Sequence, residues 1–139
     1  MTPRAARTSS TVMPLQPDHL TILVSSLDES MPYYDALLPL LGFGKRKDHV
    51  WSNGSFFLQF LQAREDLRPY ERYGAGMNHI GFTAPDPETV AAVRQAMQDA
   101  GFDVPDIQQL RGATALFMKD PDGIRFEISH YPPGLPPVD

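Results

Sequence analysis

Residues 18–24 read DHLTILV, and residues 78–84 read NHIGFTA. Each stretch carries a histidine in second place before strand-forming residues, and the two histidines, His19 and His79, lie 60 positions apart. Each is followed by a helical stretch that ends in Gly-Phe, and then by a turn dipeptide and a closing strand. A repeat of this length indicates two copies of one supersecondary unit. The sequence therefore predicts two β-α-β-β-β modules, each of which brings its opening histidine to an equivalent place.

The repeat also sets the domain organisation. At 139 residues the chain fits one compact domain, whose two modules are expected to share a core. The first residues contain Arg, Ser and Thr but no acid, which predicts a disordered extension, and the prolines near the end predict an irregular tail. The expected segments are the extension 1–16, module one 17–62, a connecting loop 63–77, module two 78–131 and the Pro-rich tail 132–139. After the helices, strands are expected near 43–47, 49–52 and 55–61 in module one, and near 102–105, 114–119 and 124–130 in module two.

Composition excludes several classes of partner. The formal net charge is −5, without the clustered Lys and Arg that phosphate binding needs, which disfavours nucleic acid and anionic membranes. The chain has no cysteine, which excludes disulfides and thiolate metal sites and is compatible with a reducing compartment. No apolar run approaches the roughly 18 residues that a membrane span requires. We therefore expect a soluble, cytoplasmic protein whose partner is a small molecule.

Helix-start signals follow the first strand of each module. Asp86 is a capping residue, and Pro87 occupies the first helical position, where it costs no hydrogen bond. Gly101 supplies the left-handed residue that ends this helix. In module one, Asp28 is the expected cap, and Pro39 is expected to end the regular helix.

The closing strand of module two carries a carboxylate between apolar residues, in the stretch IRFEIS at 124–129. Side chains alternate between the two faces of a strand, so Arg125 and Glu127 should lie on the face opposite to the helices. A carboxylate in such a strand is costly unless it is paired or bound to a metal. Two neutral imidazoles and one carboxylate suit a divalent ion that keeps open positions for substrate or water. His19, His79 and Glu127 are therefore a candidate metal site.

Motifs along most of the chain carry a family resemblance. They are Asp18-His19 before a strand, Leu27-Asp28 before a helix that bears Tyr33-Tyr34, Leu41-Gly42-Phe43, Asn78-His79-Ile80-Gly81-Phe82 and DPDGIRFE at 120–127. Together they resemble the vicinal oxygen chelate superfamily, which includes glyoxalase I, extradiol dioxygenases, methylmalonyl-CoA epimerase, fosfomycin-resistance enzymes and bleomycin-binding proteins. The resemblance covers about residues 17–131, and the last motif is the most specific.

The resemblance implies a fold, a metal site and an assembly. The implied fold is α+β and glyoxalase-like, with the two β-α-β-β-β modules forming a curved mixed sheet around a cleft. The implied ligands of one divalent ion, Mn, Fe, Co, Ni or Zn, are His19, His79 and Glu127. Proteins of this kind commonly complete their clefts by pairing modules between chains, and a curved sheet leaves edges to cover, so we expect a homodimer.

The fourth ligand position, in the last strand of module one, is ambiguous in the sequence. Aligning Gly54 with Gly123 sets Leu58 opposite Glu127, whereas the alternation of apolar residues in this strand sets Gln59 in the cleft. The second alignment is preferred because it avoids burying an amide among helix-facing residues. Gln59 then either binds the metal weakly or hydrogen-bonds in the cleft without touching it.

Further candidates lie near these ligands. Glu127 and His49 are the predicted catalytic residues, His49 as a proton carrier because histidine titrates near neutral pH. Arg125, Trp51 and Tyr34 are the predicted substrate contacts, and Arg125 in particular is suited to an anionic group. His130 has the opposite strand parity to Glu127 and is expected to be structural.

The leading interpretation is a metal-dependent enzyme that chelates a small substrate through two neighbouring oxygens, with the ion as a Lewis acid. Isomerisation, lyase-type addition, epimerisation and oxygen-dependent cleavage all remain open. The alternative is a metal-free binding protein of the bleomycin-resistance kind, in which Trp51 and the tyrosines hold a flat cationic ligand.

Overall fold

A computed structural model describes residues 12–138, so most of the predicted extension 1–16 lies outside the described residues. Module one forms a four-stranded sheet in the order β1-β4-β3-β2, with β1 and β4 parallel and the other neighbours antiparallel. One helix covers the sheet. The elements are β1 (His19–Val24), α1 (Leu27–Leu40), β2 (Gly44–Lys47), β3 (Val50–Ser52) and β4 (Phe57–Gln62).

Module two repeats this arrangement. Its strands are ordered β5-β8-β7-β6, with β5 and β8 parallel and the other neighbours antiparallel. The α+β class and the two predicted β-α-β-β-β modules are confirmed, and each module keeps its own open sheet within the chain. The elements are β5 (His79–Thr83), α2 (Pro87–Asp99), β6 (Gln108–Leu110), β7 (Ala113–Lys119) and β8 (Arg125–His130).

The two helices begin with different caps. Asp86 caps α2 as predicted, and its carboxylate accepts from the Thr89 backbone N–H at 2.8 Å. In α1 the prediction of Asp28 is wrong, because Ser26 is the cap and its hydroxyl oxygen accepts from the Glu29 backbone N–H at 3.2 Å. Asp28 instead lies in the first turn, where its charge is favourable at the positive end of the helix dipole.

The strand predicted at 102–105 is also wrong. These residues are irregular, and β6 begins only at Gln108. Pro105 has no backbone N–H to give to a ladder. Arg94 on α2 supplies the donors that the segment would otherwise find in a sheet, since its guanidinium donates to the carbonyls of Pro105 at 2.7 Å and Val104 at 3.4 Å.

The helix-facing sides of both sheets share one core. The centre of the Tyr34 ring on α1 lies 4.1 Å from the centre of the Phe60 ring in the same module. It lies 5.5 Å from the centre of the Phe126 ring in module two. Its hydroxyl donates to the buried Asp120 of module two at 2.7 Å. Because the core lies between the modules, the opposite face of each sheet points outward. Within residues 12–138, no helix is both long and apolar enough to cross a membrane.

Candidate metal centre

Strand register gives the two modules equivalent outward faces. In module one, β1 pairs with β4 so that Thr21 lies opposite Gln59, and in module two Gly81 lies opposite Glu127. Thr21 and Gly81 each lie two residues after the opening histidine of their module. Gln59 and Glu127, which lie opposite them, therefore occupy equivalent positions. Leu58 is fully buried on the helix-facing side. Of the two alignments left open by the sequence, the structure has the one with Gln59.

His79 and Glu127 come together on the outward face of module two. The His79 Nε2 atom lies 3.2 Å from the Glu127 Oε1 atom. The other ring nitrogen, Nδ1, lies 2.7 Å from Asn78 Oδ1. The orientation of that amide follows from its neighbour, because Asn78 Nδ2 donates to the Arg72 carbonyl at 3.1 Å. Asn78 thus presents an acceptor to Nδ1, so Nδ1 carries the proton.

This arrangement has a direct chemical consequence. In a neutral imidazole with its proton on Nδ1, Nε2 is an acceptor, and an ionised carboxylate offers only acceptors. The Nε2 lone pair of His79 and the Oε1 atom of Glu127 therefore face each other without a hydrogen between them. Only a cation, either an added proton or a metal ion, makes that contact favourable. An imidazole nitrogen and a carboxylate oxygen are both ordinary ligands of divalent transition metals.

The second oxygen of Glu127 is held separately. Ser129 Oγ donates to Oε2 at 2.6 Å, and the Tyr131 hydroxyl donates to it at 3.1 Å. Burial, together with the nearby Glu127 charge, raises the pKa of Tyr131, so this hydroxyl stays protonated and remains a donor. Such hydrogen bonds orient metal-binding carboxylates. Sequence reasoning missed Tyr131, although it continues the strand parity of Glu127 and Ser129.

Module one presents a matching imidazole. The His19 Nδ1 atom donates to the Asp18 carboxylate at 2.5 Å, which leaves Nε2 as the acceptor. Thr21 Oγ1 donates to Gln59 Oε1 at 3.3 Å on the same face. A shallow cavity of about 360 Å³ lies over this face, lined by Asp18, His19, Lys47, Val50, Phe57 and Gln59. In both modules, therefore, the residue before the histidine fixes the tautomer that exposes Nε2.

The two halves of the predicted site do not meet within the chain. Among the described residues, no three His, Cys, Asp or Glu side chains are grouped so that they could hold a metal ion. His19 lines the cavity over module one, and His79 with Glu127 lines cavities over module two. The chain thus brings His79 and Glu127 together but leaves His19 and Gln59 on another face.

Comparison with known proteins identifies the family. The model of the Glyoxalase/Bleomycin resistance protein/Dioxygenase superfamily matches residues 16–128. The chain belongs to this superfamily. It is 27% identical over 119 residues to "Glutathione transferase FosA" of Serratia marcescens, covering 80% of this chain and 77% of that protein. It is 36% identical over 76 residues to "Putative ring-cleaving dioxygenase MhqA" of Bacillus subtilis, covering 54% of this chain and only 24% of that longer protein.

Solved structures of the superfamily share the fold. A "putative glyoxalase" from Bacillus halodurans has a TM-score of 0.71 and 27% identity, and the match covers 83% of this chain and 95% of that one. A glyoxylase/bleomycin resistance protein/dioxygenase domain from Frankia sp. EAN1pec has a TM-score of 0.69 and 16% identity, covering 89% and 96%. These likenesses confirm the glyoxalase-like fold that the sequence predicted.

The three predicted substrate contacts lie in different parts of the fold. Arg125 is on the outward face opposite His79 in the register, with its guanidinium 5.9 Å from the centre of the Phe117 ring. Tyr34 and Trp51 are buried in the core of this chain, and their predicted substrate contacts stay predictions. For Tyr34 the reason is its bond to Asp120, and for Trp51 it is a place in β3 opposite the buried Leu58.

The two remaining histidines lie away from these cavities. His49 is at the turn between β2 and β3 with a positive φ of 66°, and its carbonyl accepts from the Phe60 backbone N–H at 2.9 Å. Its predicted role as a proton carrier stays a prediction. His130 Nδ1 lies 3.2 Å from the Ala84 carbonyl, in keeping with a structural residue.

The connecting loop helps to position the second histidine of this superfamily member. The Tyr70 hydroxyl donates to the carbonyls of Met77 at 2.7 Å and Asn78 at 3.2 Å, just before β5 begins. The Arg72 carbonyl holds the Asn78 side chain that in turn fixes His79. The loop between the modules therefore acts on the imidazole orientation through two successive contacts.

Proposed function

We propose that this protein is a divalent-metal-dependent enzyme that acts on a small substrate chelated through two neighbouring oxygens. The observation that carries the proposal is the acceptor-to-acceptor contact between His79 Nε2 and Glu127 Oε1, which needs a cation. The fit is good, because the donor set is of the N/O type that Mn, Fe, Co, Ni and Zn accept. A bound ion would supply Lewis-acid polarisation of the substrate oxygens.

The complete ligand set in this proposal comes from two chains. His79 and Glu127 of one subunit would hold the ion together with the partner subunit's His19 and the partner subunit's Gln59. Both histidines open edge strands, β1 and β5, and edge strands require covering. The outward face of module one also exposes Leu23, Phe57 and Leu61 beside His19, an apolar surface suited to burial in a homodimer.

Symmetry makes this arrangement self-consistent. In a two-fold dimer each subunit contacts the other with the same surfaces. If module one of one copy meets module two of the other, the reciprocal contact forms as well, and the dimer has two identical sites. The chain alone would then hold only half of each site, in agreement with the separation of His19 from His79.

The reaction type is left open within this proposal. One similar protein is named as a glutathione transferase and another as a ring-cleaving dioxygenase, so the superfamily relatives support enzymatic function without choosing a reaction. The alternative, a metal-free binding protein, relied on Trp51 and the tyrosines as an aromatic surface. The burial of Trp51 and Tyr34 lends that alternative no support.

Metal titration of single variants tests the ligands. Calorimetric titration of the metal-free protein with Zn²⁺ or Mn²⁺ should show that His19→Ala, His79→Ala and Glu127→Ala each greatly weaken binding. His130→Ala is the matched control and should bind as the wild type does, because its imidazole contacts the Ala84 carbonyl. Undiminished binding by all three ligand variants would overturn the proposal.

Subunit mixing tests the shared site separately. When His19→Ala and His79→Ala chains are unfolded together and refolded, each mixed dimer would contain about one intact site, with both histidines present. Each variant alone would contain none. Recovery of metal binding on mixing supports a site between chains. A mixture that binds no more metal than its components, while the wild type binds well, would locate all ligands in one chain.

A further inference from the structure

The outward face of module two is covered although no second chain is present. Ala115 lies opposite Ser129 in the β7–β8 register, and both share the face of Glu127. Their relative exposures are 2% and 0%. On the outward face of module one, Phe57 and Leu61 have exposures of 42% and 43%. A segment of the same chain therefore covers this part of module two, whereas the part of module one that carries Phe57 and Leu61 stays exposed.

That segment is the C-terminal stretch Tyr131–Val138. After β8 the chain reverses in a tight turn, in which the Leu135 backbone N–H donates to the Pro132 carbonyl at 3.1 Å and Gly134 has a φ of 84°. The Leu135 side chain then lies over Gly112, in the turn between β6 and β7. A Cβ atom added to Gly112 would be 3.9 Å from the Leu135 Cδ2 atom. Leu135 and Pro132 thus lie against this turn, while the exposed residues Pro136, Pro137 and Val138 line the cavities from the solvent side.

The covered face retains two cavities beside the candidate metal ligands. Their volumes are about 560 Å³ and 590 Å³, within the range of small-molecule sites. His79, Glu127 and Tyr131 line both cavities. The rest of the lining is mostly apolar, with Arg111 as the charged residue in the first cavity and Thr83 as a polar residue in the second. Its apolar residues are Leu135, Pro136, Pro137 and Val138 together with Leu110, Ala113, Ala115 and Phe82.

The proline-rich segment Tyr131–Val138 is well suited to hold its shape. Proline has a fixed φ and loses little conformational freedom on ordering, so a stretch with four prolines can present an apolar surface at low entropic cost. Tyr131 ties the start of the segment to the site, since its hydroxyl donates to Glu127 Oε2. The segment and the proposed ligand are therefore linked through one side chain.

We propose that Tyr131–Val138 forms a wall of the substrate cavity and selects chelating substrates that carry an apolar body next to their two oxygens. This inference rests on the proposed metal site but goes beyond it, because it assigns specificity to a segment outside the repeated modules. The segment contributes contact with the part of the substrate that the metal does not touch. Leu135 is its central contact residue.

Two chelators that differ in their apolar body test the assignment. Oxalate offers two neighbouring oxygens and no apolar part, whereas 4-nitrocatechol offers two on an aromatic ring. Their affinities would be measured by calorimetry on dimeric protein loaded with Zn²⁺, which has no redox chemistry with the catechol. The variants are Leu135→Ala and a chain that ends at Pro132. Leu40→Ala is the matched control, since Leu40 is 39% exposed at the end of α1 and lines neither cavity.

The expected result is a selective loss. Leu135→Ala should weaken the binding of 4-nitrocatechol about tenfold, because an apolar contact is lost. The affinities for oxalate and Zn²⁺ should stay within about twofold of the wild-type values. The shortened chain should show the same selectivity to a greater degree. Equal effects on both chelators, or none on 4-nitrocatechol, would overturn the wall while leaving the metal site standing. A wild type that binds neither Zn²⁺ nor chelator would overturn the metal site and the wall together.

Discussion

Replacing Tyr34 by Phe should destabilise the fold, because its hydroxyl makes a buried hydrogen bond from module one to module two. The hydroxyl donates to Asp120 Oδ2 at 2.7 Å, and both residues are buried. Burial and the adjacent Asp120 charge raise the pKa of Tyr34, so the hydroxyl is always the donor. The other Asp120 oxygen accepts from the backbone N–H groups of Asp122 at 2.8 Å and Ile124 at 2.9 Å.

The magnitude follows from what Asp120 loses. A hydrogen bond to a charged group contributes about 1.5–3 kcal/mol, and removing one partner leaves the buried acceptor less well solvated. The ring of Tyr34 stays in place against Phe60 and Phe126, so no cavity larger than one oxygen is formed. We therefore expect Tyr34→Phe to lower the free energy of unfolding by about 2 kcal/mol, and the melting temperature by roughly 5–10 °C for a chain of this size.

The neighbouring tyrosine provides the control. Tyr33 packs edge-to-face against Tyr34 and is also buried, but Asp120 accepts from the Tyr34 hydroxyl and not from that of Tyr33. Urea unfolding at neutral pH, followed by circular dichroism, should show the large loss for Tyr34→Phe and a much smaller one for Tyr33→Phe. Equal losses for the two variants would refute the argument that the Asp120 contact is responsible.

Three further changes have defined outcomes. Burial raises the pKa of Asp120 above 3.8, so the native state holds this proton more tightly than the unfolded state does. The stability of the wild type relative to Asp120→Asn should therefore fall as pH rises through 3.8 and level off above the native pKa. Urea unfolding at several pH values checks this, and a stability difference that does not change with pH contradicts it. Ser26→Ala should cost about 1 kcal/mol as a lost helix cap and Asp28→Ala less, so a larger thermal shift for Asp28→Ala would speak against Ser26 as the cap. Asn78→Ala should weaken Zn²⁺ binding by about 10–100-fold in a calorimetric titration, because it frees the His79 tautomer, and wild-type affinity in this variant would show that the amide has no such role.

Local rules predicted much of the fold because the decisive residues act on their own neighbourhood. The caps and glycine stops are of this kind: Asp86 starts α2, and Gly42 and Gly101 follow the helices with φ values of 89° and 95°. Strand alternation likewise set Glu127 and Gln59 on the outward faces, as the register has them. These features depend on sterics and hydrogen bonds within a few residues, so a single sequence contains them.

The errors arose where local rules allowed two outcomes or where a distant group decided between them. Ser26 and Asp28 are both good capping residues two positions apart, and local propensity does not choose between them. The irregular stretch at 102–105 depends on Arg94, which reaches from α2 to the Val104 and Pro105 carbonyls. Contacts of this kind become visible only once the helix and the segment are packed together.

The assembly of the candidate site is the largest step that the repeat alone could not supply. Two equivalent modules imply two equivalent histidines, but they do not say which faces of the modules meet. Here the helix-facing sides meet, through Tyr34 and the shared aromatic core, and His19 and His79 line separate cavities. The packing that stabilises one chain thus keeps these two candidate ligands in separate cavities. In the proposed homodimer a second copy would supply the missing imidazole, and the repeat within one sequence would then form a site between two chains.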